Sequence, residues 1–294
     1  MPTNEQRRQA AKRKLDRQLT RRAERAKRRR TYAVAGSAAA VLLVVGLVVL
    51  ITMLGRDDDV DSAAAPPDAA PSSAAPSSAA PSNAAPAPVE IPTQRAPEPV
   101  RPEALPASVD CRYPADGRPP AKPVTPPAAG PTPTEGTVGI TLETSAGVIP
   151  VTLDRALAPC AVANFVSLTE QGYLNETPCH RLTTGARLQV LQCGDPTGAG
   201  TGGPGYSFAD ETWPDIRYGR GYLAMANSGP DTNGSQFFLV YGDAALPSDY
   251  TVFGTVSDEG LEVIDEIARA GAQGGAPDGP PATPVQIQTA IITG

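Results

Sequence analysis

LAMANSGPDTNGSQFFL, residues 223–239, is the stretch on which the fold turns. Just before its last residue stands the adjacent pair Phe237-Phe238. Successive side chains of a strand point to opposite faces, so one ring enters a core and the other is free to line a groove. Outward from this stretch the chain is made of short apolar runs punctuated by Gly, which read as strands. Upstream, Val138, Ile140 and Leu142 share one face, and Ile149, Val151 and Leu153 share a face of the next run. Ser145-Ala146-Gly147 between them predicts a hairpin. Pro159 then opens a short helix in which Val162, Phe165, Val166 and Thr169 fall at helical spacing. Near the C-terminus Leu261, Ile264, Ile267 and Ala268 mark a second helix. Hairpin, helix, many strands, helix and strand predict a mainly β domain, a barrel with two flanking helices.

Two shorter stretches accompany the long one: CHRL at 179–182 and LQCGD at 191–195. YTVFGTV at 250–256 continues the pattern. Together they resemble the cyclophilin family, over essentially all of residues 137–294 and none of 1–136. The resemblance implies an eight-stranded antiparallel barrel and cis–trans isomerisation of peptidyl-prolyl bonds, without a cofactor. It assigns catalysis to Arg181, which follows His180. It assigns substrate binding to Gln192, Ala226, Asn227, Gln236, Phe238, Leu246 and Tyr250. Phe238 and Leu246 would form the apolar slot for the proline ring. Gln192, and Asn227 through its backbone, would hold the flanking peptide. Gln236 has a plainer reading as well, that of satisfying buried backbone.

These residue types suit the reaction. Rotation about a peptide bond meets a barrier of about 18–20 kcal/mol because it breaks amide resonance. The prolyl nitrogen regains its lone pair in the twisted state. A donor aimed at that nitrogen stabilises the twisted state above either planar one, and that difference is catalysis. Arginine stays charged and presents rigid, planar donors. No proton changes hands, which fits a chain with one His.

The chain departs from the family around the slot. Three extra residues stand in the Thr183–Gln189 turn, and no Phe follows there. Leu188, Gln189 or Val190 must fill that wall. Ala245 stands where many members carry a Trp, and Tyr250 replaces a pocket His. The rebuilt wall sets a second reading beside the enzyme: a catalytically weak module that holds Pro-containing peptides.

Other chemistries are excluded. With His180 alone there is no zinc-protease motif or His-based metal cluster. Cys179 and His180 are neighbours on a strand, so they point apart and form no dyad. GTGGPG at 200–205 lacks the Lys-Ser/Thr of a phosphate loop and reads as a mobile surface loop.

The net charge of −6 hides two unlike regions. Residues 1–30 carry 13 Lys+Arg against Glu5, Asp16 and Glu24, a balance of +10. Base confined to one end argues for a topology signal and against nucleic acid as a partner. An uncharged run at 31–55 follows, long enough to span a bilayer. Arg28-Arg29-Arg30 before it and Asp57-Asp58-Asp59 after it place the N-terminus in the cytoplasm and the rest outside. Residues 56–136 read as a disordered Pro/Ala-rich linker, with 20 of the 33 Pro between Val60 and Ile140 and an AAPSS-type repeat at 69–88. Past Val100 the linker gains Cys111, Tyr113 and scattered charge, and reads as an arm able to dock. All four Cys lie beyond the apolar run, where disulfides persist, and three pairings are open. The expected protein is a single-pass, membrane-anchored isomerase, its domain at 137–294 outside the cell, acting on Xaa-Pro segments of exported or envelope proteins.

Overall fold

The structure, a computed structural model, describes residues 90–294. The basic segment, the proposed membrane span at 31–55 and the AAPSS repeat lie outside the described residues. Among the described residues no helix is long and apolar enough to cross a membrane.

The elements run β1 (Ser108–Cys111), β2 (Gly130–Pro133), β3 (Thr137–Thr144), β4 (Gly147–Asp154), α1 (Pro159–Glu170), β5 (Thr177–Pro178) and β6 (Arg181–Gly185). Then follow β7 (Leu188–Cys193), β8 (Tyr222–Met225), β9 (Phe237–Ala244), β10 (Val252–Val256), α2 (Asp258–Ala270), β11 (Asp278–Gly279) and β12 (Gln286–Ile292). β1 and β2 pair with each other. The rest form one antiparallel sheet in the order β11-β6-β7-β9-β8-β10-β4-β3-β12-β5. β5 and β6 are two parts of one extended run, broken at Cys179-His180. β5 pairs with β12 and β6 with β7, so the run Thr177–Gly185 joins the two ends of the sheet. Counted once, and with two-residue β11 set aside, it completes a curled sheet of eight strands.

The predicted hairpin is β3–β4, with Thr144 opposite Gly147. Its alternating pattern buries Val138, Ile140, Leu142, Ile149, Val151 and Leu153. α1 begins on Pro159 as expected and packs Phe165 against Phe237 and Phe253, at ring centroids of 5.1 and 5.3 Å. Ser257 caps α2 by accepting from the Gly260 N–H, and Asp258 and Glu259 complement the helix dipole in its first turn. Asp265 on its buried face forms a two-pronged pair with Arg220, at 2.7 and 2.8 Å, and both residues are buried.

α1 lacks a cap of its own, because Ala158 at its N-cap offers no side-chain acceptor. The carboxylate of Glu211, far along the chain, takes the Cys160 and Ala161 N–H groups at 3.0 and 2.8 Å. Burial pushes the Glu211 carboxyl from 4.5 up to about 7, against the opposing pull of those two N–H groups and Arg101. A folded pKa above the unfolded one means the native state binds the proton more tightly. Stability is therefore full below pH 4.5 and declines as pH rises towards 7. The expected difference between pH 4.5 and 8 is on the order of 3 kcal/mol, flattened in Glu211→Gln. Urea unfolding at a series of pH values measures it.

The segment 90–136 docks as an arm, as expected past Val100, and does so from Glu90 onward, where proline content alone predicts free linker. It wraps the barrel. Gln189 donates to Glu90 O at 2.7 Å, Ala96 N–H to Arg220 O at 3.0 Å, and the Tyr222 hydroxyl to Pro97 O at 2.7 Å. The Arg101 guanidinium stacks 5.0 Å from the Trp213 ring centre. Cys111 is disulfide-bonded to Cys160 on α1, and buried Tyr113 sits edge-on to Tyr206 and Phe208. Ile91, Val109 and Val124 add apolar contact. Such anchors offset the chain entropy that a Pro/Ala tract alone cannot. The linker boundary expected at 136 thus moves back, and the folded unit takes in all the described residues. The Cys111–Cys160 bridge spans 49 residues, so removing it with paired Ser substitutions is expected to cost about 4 kcal/mol. Urea unfolding gives the loss, and limited proteolysis should then cut first within the arm.

Candidate active site

Three neighbouring strands set the site in one transverse row. Arg181 on β6 is opposite Gln192 on β7, and Gln192 is opposite Phe238 on β9. Directly paired residues on one face lie about 4.5–5.5 Å apart at Cβ, close enough to act together. Alternation sends Leu182, Leu191 and Phe237 into the core and leaves Arg181, Gln192 and Phe238 on the other face. The Phe237-Phe238 pair divides as its sequence predicts: Phe237 meets Phe165, while Phe238 lines the cavity.

That cavity has a volume of about 140 Å³. Arg181, Gln192, Ala226, Asn227, Phe238, Leu246 and Tyr250 line it, together with Leu188 and Val190. Gln236, the remaining predicted site residue, lines an adjoining cavity of about 190 Å³ that shares Gln192, Ala226 and Asn227. Of the three candidates for the rebuilt wall, Leu188 and Val190 face the slot. Gln189 turns away, where its amide donates to Glu90 O and accepts from Asp243 N–H. A register shift between Leu188 and Val190 on the β9 side accompanies this turn. Ala245 borders a separate cavity beyond Leu246.

A chain of hydrogen bonds crosses the row. Arg181 Nε and Nη2 donate to the two Asp278 oxygens at 2.8 and 2.7 Å. Nη1 donates to Gln192 Oε1 at 3.2 Å. Gln192 donates to Gln236 Oε1 at 2.9 Å, and Gln236 donates to the Gly200 and Gly202 carbonyls at 3.0 and 2.9 Å. The Gly-rich loop, expected to be mobile, is thus bonded in place. Asp195 fastens it from below, accepting from Gly202 N–H at 3.0 Å and from Thr197. A Cβ at Gly202 would collide with that carboxylate, so the close approach requires glycine. Burial would raise the Asp195 pKa, yet the N–H groups of Gly202 and Thr197 and the Thr197 hydroxyl hold it below the ordinary range.

The electrostatics favour a fixed cation. The hydrogen bond to Asp278 lifts the Arg181 pKa above its ordinary value despite burial, and Arg181 in turn depresses that of Asp278. Burial pushes the His180 imidazole down, and neither ring nitrogen has a partner. Among the described residues no cluster of His, Cys, Asp or Glu is placed to hold a metal.

The floor of the slot is aromatic. The Phe238 and Tyr250 rings meet edge-on at 5.6 Å, and Tyr218 backs both, at 6.4 Å from Phe238 and 6.0 Å from Tyr250. The Tyr218 hydroxyl also donates to Tyr250 O and accepts from Tyr250 N–H, at 2.9 Å each. Asn227 uses its side chain to join loops, donating to Asp249 O at 2.8 Å. The Cys179–Cys193 disulfide brackets the row, one sulfur just before His180-Arg181 and the other just after Gln192. Asp278 and Tyr218 are the residues the sequence did not single out. An Asp in a Pro-Asp-Gly turn looks solvated, and a Tyr with no motif around it looks like core. The arrangement sets one fixed cationic donor at a small, largely apolar slot, with a polar cavity adjoining it.

The model of the cyclophilin-type peptidyl-prolyl cis-trans isomerase family matches residues 139–292. A probable peptidyl-prolyl cis-trans isomerase B of Mycobacterium leprae is 48% identical over 302 residues, covering 98% of this chain and 99% of the relative. One of Mycobacterium tuberculosis is 48% identical over 196 residues, covering 62% of this chain and 64% of the relative. A crystal structure of a Cryptosporidium parvum cyclophilin-type isomerase aligns with a TM-score of 0.48 at 32% identity, covering 54% of this chain and 99% of that one.

Proposed function

This chain belongs to the cyclophilin-type peptidyl-prolyl cis-trans isomerase family, and on that premise we propose that Arg181 drives isomerisation of Xaa-Pro bonds in exported or cell-envelope proteins. The observation that carries the residue assignment is the row Arg181–Gln192–Phe238 around one slot. A proline ring enters between Phe238, Leu246, Leu188 and Val190, with Tyr250 at its edge. Arg181 Nη1 then faces the prolyl nitrogen as resonance breaks. Gln192, Gln236, Ala226 and Asn227 hold the peptide on the N-terminal side of the proline, along the adjoining groove.

The extracytoplasmic setting rests on two supports. The basic segment before the apolar run 31–55 predicts an N-terminus in the cytoplasm. The two disulfides, with no free Cys among the described residues, belong in an oxidising compartment. The run 31–55 is then a single anchor, and residues 56–89 space the domain from the bilayer. A reporter fused after Gly294 that is active only outside the cytoplasm tests the topology; silence there rejects it.

Two-dimensional NMR exchange on an Ala-Pro-containing peptide, with residues 90–294, tests the activity. Faster cis–trans exchange is the expected result. Peptide shifts on titration without any gain in exchange would select the second reading, a binding module, which the substituted wall at Leu188 and Val190 favours.

A further inference from the structure

Resting on the isomerase reading, we propose that Asp278 is a positioning residue for catalysis, clamping two edges of the Arg181 guanidinium so that Nη1 is aimed into the proline slot. The geometry begins in the backbone. β11 lies against the edge of β6 with Asp278 opposite Thr183 and Gly279 opposite Leu182. Thr184 N–H also donates to Pro277 O at 2.9 Å, so the residue just before the pairing is fastened to β6 as well. Thr183 and Arg181 share a face of β6, which makes Asp278 the diagonal neighbour of Arg181 on that face. Diagonal neighbours are within reach of long side chains. The carboxylate arrives at the guanidinium through its strand register.

The bonding pattern is that of a clamp. Nε and Nη2 share the two oxygens of Asp278, and Gln192 takes one hydrogen of Nη1. These contacts fix the plane of the fork, with Nε and Nη2 turned to Asp278 and Nη1 turned to Gln192, a residue that lines the slot. Arginine is rich in rotamers, and a partly exposed guanidinium with one partner would spread over several of them. A donor must meet the prolyl nitrogen only in the twisted state, so an error of about 1 Å in its place can cost on the order of a hundredfold.

The same exposure separates this role from a structural one. The Arg181–Asp278 pair is partly solvated, at 38% and 51% side-chain exposure, and such pairs add little to stability. Asp278→Asn keeps the size and loses one acceptor and the charge. Asp278→Glu keeps both oxygens on a longer stem.

The test uses residues 90–294 and NMR exchange at saturating and sub-saturating peptide, with thermal melts and the 15N signal of the Arg181 Nε–H. The expected result for Asp278→Asn is an unchanged melting temperature, a KM within about twofold and a kcat lowered about tenfold or more. Its Nε–H signal should broaden through exchange with water, and Asp278→Glu should restore part of both kcat and signal. Full kcat in Asp278→Asn, a loss confined to KM, or no recovery in Asp278→Glu overturns the proposal while the isomerase reading stands. No acceleration by the unaltered protein overturns both, and the two failures are told apart by that control.

Discussion

Arg181→Ala is expected to lower kcat/KM for Xaa-Pro isomerisation by about a hundred- to a thousandfold, the usual loss when a fixed transition-state donor is removed. The fold should persist. Arg181 is half-buried at the edge of the slot, and its partners Asp278 and Gln192 both reach solvent. Peptide affinity should change little, because the apolar slot is built by Phe238, Leu246, Leu188 and Val190. The signature is therefore loss of exchange rate with retained binding, read by NMR exchange and titration on one sample. A variant with unchanged exchange would remove Arg181 from the mechanism and, with it, the reason for the clamp at Asp278.

A large loss of stability is expected at a different charge. Asp265→Ala should cost about 3–5 kcal/mol, because it leaves Arg220 buried and uncompensated. Arg220 donates to both Asp265 oxygens and to the Tyr241 carbonyl, and water has little access to the pair. Replacing both partners by apolar residues of like volume should cost far less, since the charge is then gone and not merely unpaired. Urea unfolding of the single and double variants distinguishes these outcomes. A small loss in Asp265→Ala would mean that Arg220 finds solvent or another acceptor.

Much of the barrel was legible because alternation is a local signal. Ile140, Leu142, Ile149 and Val151 announce their strands by spacing alone, and Leu261, Ile264 and Ile267 announce α2. The row Arg181–Gln192–Phe238 was legible through its motifs. What joins these residues was not. Asp278 reaches Arg181 through the register of a two-residue strand, and no local pattern encodes that pairing. Glu211 caps a helix from some 50 residues away, so neither sequence neighbourhood reveals the cap. The arm was legible in part: Cys111 and Tyr113 marked it as able to dock past Val100, but not that docking extends back to Glu90. Its prolines describe how it behaves alone, while its few anchors, Ile91, Cys111 and Tyr113, count only once a surface exists for them. Leu188 and Val190 were separable from Gln189 only after the strand register was known.

The run Thr177–Gly185 joins the two ends of the sheet, and Arg181 sits on it just past the Cys179-His180 break. The barrel is a hoop, and the proposed donor is mounted on its clasp. A conformer that opens between β6 and β7 also separates Arg181 from Gln192, whereas one that opens between β5 and β12 keeps them paired. Activity therefore reports on closure of the β6–β7 seam, and the rate lost under mild denaturant measures how often that side of the clasp is undone.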